Sequence, residues 1–212
     1  MLSEMINYAI SDSDRYILLI KQHLELDIVA FAFCMIVAIP LGYICAKYEK
    51  VANPVIAIIT VFMMIPSLSL FALIQPILGL GMKPAFVALI LGGIPLLLIN
   101  TRAGYSNVDK AVCESALAMG MEPWRICLQV ETPLALPAIL NGMRITAVSM
   151  IAGTAIATYI GAGGLGLYID IGIGTRQFQI AYLGAATVAA IAILVDAVLA
   201  ILQKKQLKKV SK

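Results

Sequence analysis

Long apolar runs, each near the length of one bilayer crossing and almost free of charge, decide what this chain can become. The first extends from about Leu26 to Ala46 and ends at Lys47, Glu49 and Lys50. A second begins near Val51, is interrupted at Pro66 and Ser67, and resumes through Leu80. A third runs from about Pro84 to Asn100, a fourth from about Leu136 to Ile160, and a fifth from about Gln179 to Leu202. About 20 helical residues cross the hydrocarbon core, and lipid offers no partner to an unbonded backbone group, so each run is expected to be a helix. Composition agrees: 61% of residues are hydrophobic and 13% charged, against about a quarter charged in a soluble domain. The expected fold class is an all-α membrane protein of one domain with about five transmembrane helices. A chain of 212 residues leaves no length for an ATPase beside them, and no Gly-x-x-x-x-Gly-Lys-Ser/Thr phosphate loop is present, so energy is expected from another chain.

The run from Val51 to Leu80 is too long for one crossing and too short for two, so a helix broken at Pro66 reconciles the lengths. Proline frees a backbone carbonyl, which membranes tolerate where protein or a wet cavity satisfies it. Pro66, Ser67, Ser69 and Gln75 are therefore candidates for lining a passage, with an ordinary kink against a neighbouring helix as the equal alternative. In the fourth run Gly153, Ala157 and Gly161 recur at four-residue intervals and leave a face on which another helix can pack closely. Thr154 and Thr158 form a second such pair, expected either to line the route or, more commonly, to bond back to their own helix. Asp196 is read as the one acidic residue well inside a span. A proton or cation site is one reading, and a structural pair with Arg144 near the inner end of the fourth span is the favoured one.

Other features are expected to be plain. Cys34, Cys45, Cys113 and Cys127 lack Cys-x-x-Cys spacing and are read as free thiols, with no metal site. Gly161-x-Gly163-x-x-Gly166 spells a dinucleotide fingerprint, but it follows a membrane span and not a strand, so it is read as a helix break or re-entry. Residues 1–23 have no basic n-region and are read as a polar or interfacial lead-in, with His23 an interfacial residue. Residues 204–212 carry Lys204, Lys205, Lys208, Lys209 and Lys212, a basic tail suited to anionic membrane lipid and not to nucleic acid.

The polar interruption from Glu114 to Pro137 reads differently from everything around it. Glu114, Ser115 and Ala116 are followed by Gly120, and then by Val130, Glu131, Thr132 and Pro133, with a second proline at Pro137. Two short helices bent at the glycine and stopped by proline would fit that spacing. Around the bend lie Met119, Met121, Trp124 and Arg125, which offer adaptable apolar contact and a charge to fix orientation.

This spacing resembles the cytoplasmic coupling loop of binding-protein-dependent ABC transporter permeases: Glu-Ala-Ala, three residues, Gly, nine residues, then Ile-x-Leu-Pro. Serine replaces the first alanine, valine the isoleucine, and Thr132 stands at the leucine place. Ile65-Pro66-Ser67-Leu68, Pro133-Leu134-Ala135-Leu136-Pro137 and Ile160-Gly161-Ala162-Gly163-Gly164-Leu165-Gly166 are similar to the osmoprotectant branch, which carries glycine betaine, carnitine or choline. The resemblance covers roughly residues 24–200. It implies a type-1 ABC permease (MetI-like) fold over residues 24–203, with Glu114, Ser115, Ala116, Gly120, Trp124, Arg125 and Pro133 in the ATPase-coupling loop. The partners implied are two copies of a cytoplasmic ABC ATPase, which would hold ATP and Mg, a second permease subunit, identical or homologous, and an extracytoplasmic substrate-binding protein. This chain is then no enzyme and holds no cofactor. An amino-acid permease such as the methionine type would share the loop; an ion-coupled secondary carrier using Asp196 is the rival from another class.

Orientation comes from the basic residues. With five crossings and the N-terminus outside, eleven Lys and Arg fall inside, among them Lys47, Lys50, Arg102 and the tail. Arg15, Lys21, Lys83 and Arg176 fall outside. That asymmetry follows the positive-inside tendency and puts Glu114 to Pro133 in the cytoplasm of a prokaryotic cell.

Overall fold

Helix follows from the apolar runs almost without exception. The computed structural model describes residues 2–210, and no strand occurs among the described residues. The elements are α1 (Leu2–Ser11), α2 (Ser13–Lys47), α3 (Glu49–Met64), α4 (Ser67–Leu78), α5 (Met82–Ser106), α6 (Lys110–Ala118), α7 (Pro123–Ile126), α8 (Thr132–Ala157), α9 (Gly166–Gly174) and α10 (Phe178–Val210). A π turn over Cys127–Glu131 joins α7 to α8, and a 3-10 turn over Thr158–Ile160 extends α8. Four helical stretches are long and apolar enough to cross a membrane by themselves. The pair α3 and α4, bent by 100° at Ile65 and Pro66, reaches that length and hydropathy only when taken together, as a broken span or a re-entrant loop.

α5 runs through the middle, packed between α2 and α8. Glycines set the separations: a Cβ on Gly42 of α2 would come within 2.7 Å of Thr101, and one on Gly142 of α8 within 2.5 Å of Asn100. Small residues let backbones approach this closely in lipid, where association relies on packing. The expected small-residue face of the fourth span behaves so, with Gly153 against Leu89 of α5 and Ala157 fully buried. α10 lies on α8 and α9, and its outer face presents Ile193, Leu194 and Val198 to the surroundings.

Several expectations need correction. The first transmembrane helix begins at Ser13, and α2 runs unbroken through residue 23. Its early turns are apolar on the side that meets Leu165, Tyr168, Ile180 and Leu183, where Leu19 is buried. His23 is consequently fully buried and not interfacial. Asp27, four residues on, is buried too, so Asp196 is not the one acidic residue inside a span. Residues 2–22 form a clasp over the start of α9: Tyr8 and Tyr16 pack on the Tyr168 ring at 5.7 and 6.0 Å, and the Tyr168 hydroxyl donates to Asp12 at 2.9 Å. Burial pushes that phenol up, which keeps its proton in place for Asp12.

Proline does not stop the helix after Gly120. Pro133 falls in the first turn of α8, where its missing N–H costs little, and Pro137 sits inside the helix. From Pro123 to Ile160 the chain forms one candidate span. Three glycines of the rejected fingerprint region, Gly161, Gly163 and Gly164, adopt positive φ and turn the chain between α8 and α9. The four cysteines are free, Cys34 and Cys45 among buried residues. Of the basic tail, Lys204, Lys205 and Lys208 continue α10 with exposed side chains, while residues 211–212 lie outside the described residues.

Candidate functional site

α6 ends at a glycine because the chain must reverse there. Gly120 has φ 83°, its N–H bonds Leu117 O at 2.9 Å, and the Met121 N–H reaches back to Ala116 O at 3.1 Å. These two bonds form the Schellman closure, which needs the left-handed conformation that glycine adopts cheaply. Pro123, preset for a first helical turn, then starts α7. Beyond the bend, Trp124 Nε1 donates to Glu122 at 2.6 Å, and Arg125 lies over the Trp124 ring at 5.2 Å with Glu122 3.6 Å away. The hairpin turns an apolar surface away from the bundle: Leu117, Met119, Trp124 and Leu128 are all more than half exposed. Glu114, Ser115 and Pro133 are exposed beside it, while Ala116 is buried. Ser115 bonds back to Ala111 at 2.7 Å.

Beneath the hairpin, polar groups from four elements converge. Glu131, only 4% exposed, accepts a hydrogen bond from Lys47 at the end of α2 and another from the Cys113 thiol of α6 at 3.4 Å. The next residue, Thr132, bonds to Cys127 O at 2.7 Å and lies 3.0 Å from the Tyr105 hydroxyl of α5. Tyr105 packs edge-on against Tyr43 of α2 at 4.9 Å. Burial, and after it the bond to Glu131, pushes the Cys113 thiol up, so it stays a protonated donor. A cavity of about 350 Å³ opens here, lined by Lys47, Cys113, Glu114, Leu117, Ile126 and Glu131 among others.

The Pro66 break borders a second cavity of about 200 Å³ between α3, α4, α5 and α8. Phe62, Phe71, Leu89 and Met150 line it, with Ser67 and Ser149 as its hydroxyls and Gly92, Gly93 and Gly153 giving it room. Ser67 thus faces a cavity, whereas Ser69 is exposed and Gln75 half-buried elsewhere on α4. Thr154 and Thr158 do neither of the things expected of them. Thr154 donates to Asp27 at 2.5 Å, and Thr158 donates to Gly163 O at 2.9 Å, fixing the glycine turn.

Asp27, Thr154 and His23 make a buried polar joint between α2, α8 and the turn before α9. The Leu165 N–H points at His23 Nδ1 (3.4 Å), so the ring proton sits on Nε2, 3.2 Å from Ile151 O and 3.4 Å from Asp27 Oδ2. Asp27 Oδ2 has no hydrogen-bond partner. Thr154→Val keeps the shape and removes the hydroxyl that serves Asp27. A buried acceptor stripped of its donor costs about 1–3 kcal/mol, so thermal unfolding in detergent should occur at lower temperature, with Thr154→Ser close to the parent. An unchanged melt for Thr154→Val would show that the joint carries no stability.

Near the middle of α8, Arg144 holds Asp196 through two bonds of 2.8 and 2.9 Å and reaches Gln203 at 2.8 Å. Gln203 in turn donates to Pro137 O, the carbonyl of a proline inside the helix. The arrangement is a bidentate clamp joining α8 to α10, with all of its polar atoms engaged by one another and by backbone.

Sequence reasoning did not anticipate Lys47, Asp27 or the inward turn of Glu131. Lys47 was visible only as the end of a span, and Glu131 only as the variable place in Val-x-Thr-Pro. The signal for Asp27 was present: a carboxylate four residues after the chain's one histidine, on the same helix face.

Comparison with known proteins places these features in company. Residues 38–210 match the family model described as binding-protein-dependent transport system inner membrane component. The glycine betaine/carnitine/choline transport system permease protein OpuCB of Bacillus subtilis is 38% identical over 184 residues, 87% of this chain and 85% of that one. The osmoprotectant import permease protein OsmW of Salmonella typhimurium is 33% identical over 198 residues, 91% and 92% of the two chains. Among solved structures, the inward-facing methionine ABC transporter MetNI matches with a TM-score of 0.77 at 22% identity, covering 87% of this chain and 93% of that one. A second, an amino acid ABC transporter crystallised with histidines, gives 0.75 at 20% identity, over 93% and 97%. At such identities the structural likeness speaks for the fold, which is that of the type-1 permeases.

Proposed function

The chain belongs to the binding-protein-dependent transport system inner membrane components, and from that premise we propose that it forms half of the membrane passage of an importer for a quaternary ammonium osmoprotectant. It is a multi-pass membrane protein and a permease subunit of an ABC importer, so ATP is hydrolysed on a separate chain and the substrate arrives on a separate binding protein. Two ATPases holding ATP and Mg, a second permease, and a hairpin facing the cytoplasm with the N-terminus outside complete the reading. In it, Glu114, Ser115, Ala116, Gly120, Trp124, Arg125 and Pro133 form the coupling loop, with all of them but the buried Ala116 on its docking surface, and the Lys204–Lys208 end of α10 faces anionic lipid.

The observation that carries the substrate class is the agreement of the relatives. Those at 33–38% identity over more than four-fifths of the chain are named for glycine betaine, carnitine, choline or osmoprotectants. The cavity at the Pro66 break supports it chemically. A quaternary ammonium has no N–H to satisfy, so a lining of Phe62, Phe71, methionine and glycine with two hydroxyls asks it for no hydrogen bonds. Such a lining binds weakly and lets substrate go, leaving selectivity to the binding protein. The amino-acid alternative draws only on neighbours of 20–22% identity, and an ion-coupled carrier would need no ATPase.

The test is reconstitution of the chain with its ATPase and binding protein in liposomes. ATP-dependent uptake of labelled glycine betaine or choline is expected. Uptake of methionine in their place would overturn the substrate class, and uptake without the ATPase would overturn the importer.

A further inference from the structure

A buried carboxylate at the base of the hairpin has no part in the docking surface, yet three elements meet on it. Glu131 Oε1 takes hydrogen bonds from Lys47 of α2 and from Cys113 of α6, while its own backbone belongs to the π turn that continues into α8. α6 leans mainly on α7 and that turn, so little else ties the first arm of the hairpin to the membrane bundle. A displaced hairpin pushes α8 directly, because Pro123 to Ile160 is one helical rod. Its own contact with the C-terminal end of α2 is the Lys47–Glu131 pair, flanked by Tyr43 and Tyr105, whereas α2 otherwise meets α8 and α5 inside the bundle.

A π turn is the means by which Glu131 reaches this place. The extra residue per turn rotates the side chains that follow, and such single-turn bulges are frequent at functional sites. Lys47 is the last residue of α2, 39% exposed at its side chain, while Glu131 is nearly sealed. A charge buried on one side and wet on the other makes a joint that holds but can be remade during a stroke.

We infer that Glu131 is a positioning residue for coupling: through Lys47 it makes α2 follow the hairpin, so that α2 and α8 move together when the ATPase closes. This rests on the importer reading above. It goes beyond docking, because the residue that transmits motion to the first membrane helix lies behind the hairpin and touches no partner.

The experiment uses the complete importer in liposomes and measures substrate uptake and ATP hydrolysis on the same preparation. Glu131→Gln and Lys47→Met are expected to lower substrate moved per ATP by about tenfold, within the 5- to 150-fold range of ordinary coupling between sites, with hydrolysis retained. Lys47→Arg, which keeps the charge, should transport within about twofold of the parent. The exchanged pair, Lys47→Glu with Glu131→Lys, should recover most of the ratio. If the ratio stays unchanged in both single variants, or falls while the exchanged pair and Lys47→Arg recover nothing, the inference is overturned. Should Glu131→Gln fail to assemble, Lys47→Met and Lys47→Arg decide alone, because Lys47 is part-exposed at a helix end. Failure of the parent to need an ATPase would instead sink the importer reading and leave the ion pair a structural fact.

Discussion

Gly120→Val should abolish productive coupling: uptake falls by about tenfold or more while the protein still inserts and the partner ATPase still turns over. The cause lies in the backbone. No heavy atom lies within 4 Å of where a Cβ would stand on Gly120, so crowding is excluded, but its φ of 83° is one that a β-branched residue adopts only under strain. Left-handed backbone costs an ordinary residue about 1–2 kcal/mol, and a bulky one more. If that cost is relieved by opening the Schellman closure, α7 leaves its place beside α6 and Trp124 swings away from Leu117 and Met119. A shift of 1–3 kcal/mol in the docked arrangement is worth about 5- to 150-fold. Gly120→Asn separates the two causes, since asparagine tolerates this region of φ and should stay within about twofold of the parent. Uptake per ATP in liposomes is the measurement, and normal transport by Gly120→Val would remove the hairpin from the coupling path.

As the coupling element proposed above, the hairpin would have to deliver a sizeable bias. Moving a two-state passage from 1:99 to 99:1 requires about 5.5 kcal/mol of differential binding. That would suit a joint spread over Trp124, the small exposed residues Ser115 and Ala118, and the Glu131 knot, and it would make loss of any one element a partial failure. Rigid transmission matters for the same reason. The Arg144–Asp196 clamp fastens α8 to α10 near the middle of α8, and the His23–Asp27–Thr154 joint fastens α8 to α2 near its C-terminal end. With Lys47–Glu131 they divide α8 into supported lengths, so a push at Pro123 is not spent in bending.

Much of this was legible before any coordinate. The helices, the break at Pro66 and the bend at Gly120 follow from local rules, namely apolar length, proline's missing donor and glycine's tolerance of positive φ, and each appears where the residues place it. What escaped were the places where local rules compete with tertiary ones. Residues 13–23 read as polar because Asp14, Arg15 and Lys21 stand among them, yet a 35-residue helix needs only one apolar side, and α1 and α9 cover it. Pro133 and Pro137 read as stops, but a first turn tolerates one, and the other sits only five residues into α8, where it forfeits a single bond to the Pro133 carbonyl. Thr154 read as self-bonded because nothing in a sequence shows that Asp27, distant along the chain, stands opposite. Buried polar partners of large sequence separation are set by packing, which residue spacing does not encode.

The α9 end of the bundle offers the sharpest stability test. A Cβ built on Gly166 would lie 1.9 Å from Ala155 O and 2.5 Å from Thr158 Oγ1, and the first of these is backbone of a helix buried against α2 and α5. Neither α8 nor the start of α9 can give way cheaply, so Gly166→Ala must lever α9 off its seat. Tyr168 and Leu165, both fully buried, would be exposed, and the Leu165 N–H would leave His23. Overpacking of this kind costs about 3 kcal/mol or more, enough to leave a membrane domain poorly folded. Gly174→Ala, eight residues on with open space around it and no positive φ, should change little. Thermal unfolding and monodispersity in detergent separate the two variants. If Gly166→Ala melts with the parent, α9 does not lie tight against the end of α8. The ends of α2 and α8 nearest α9 would then be held together without it, by the His23–Asp27–Thr154 contacts.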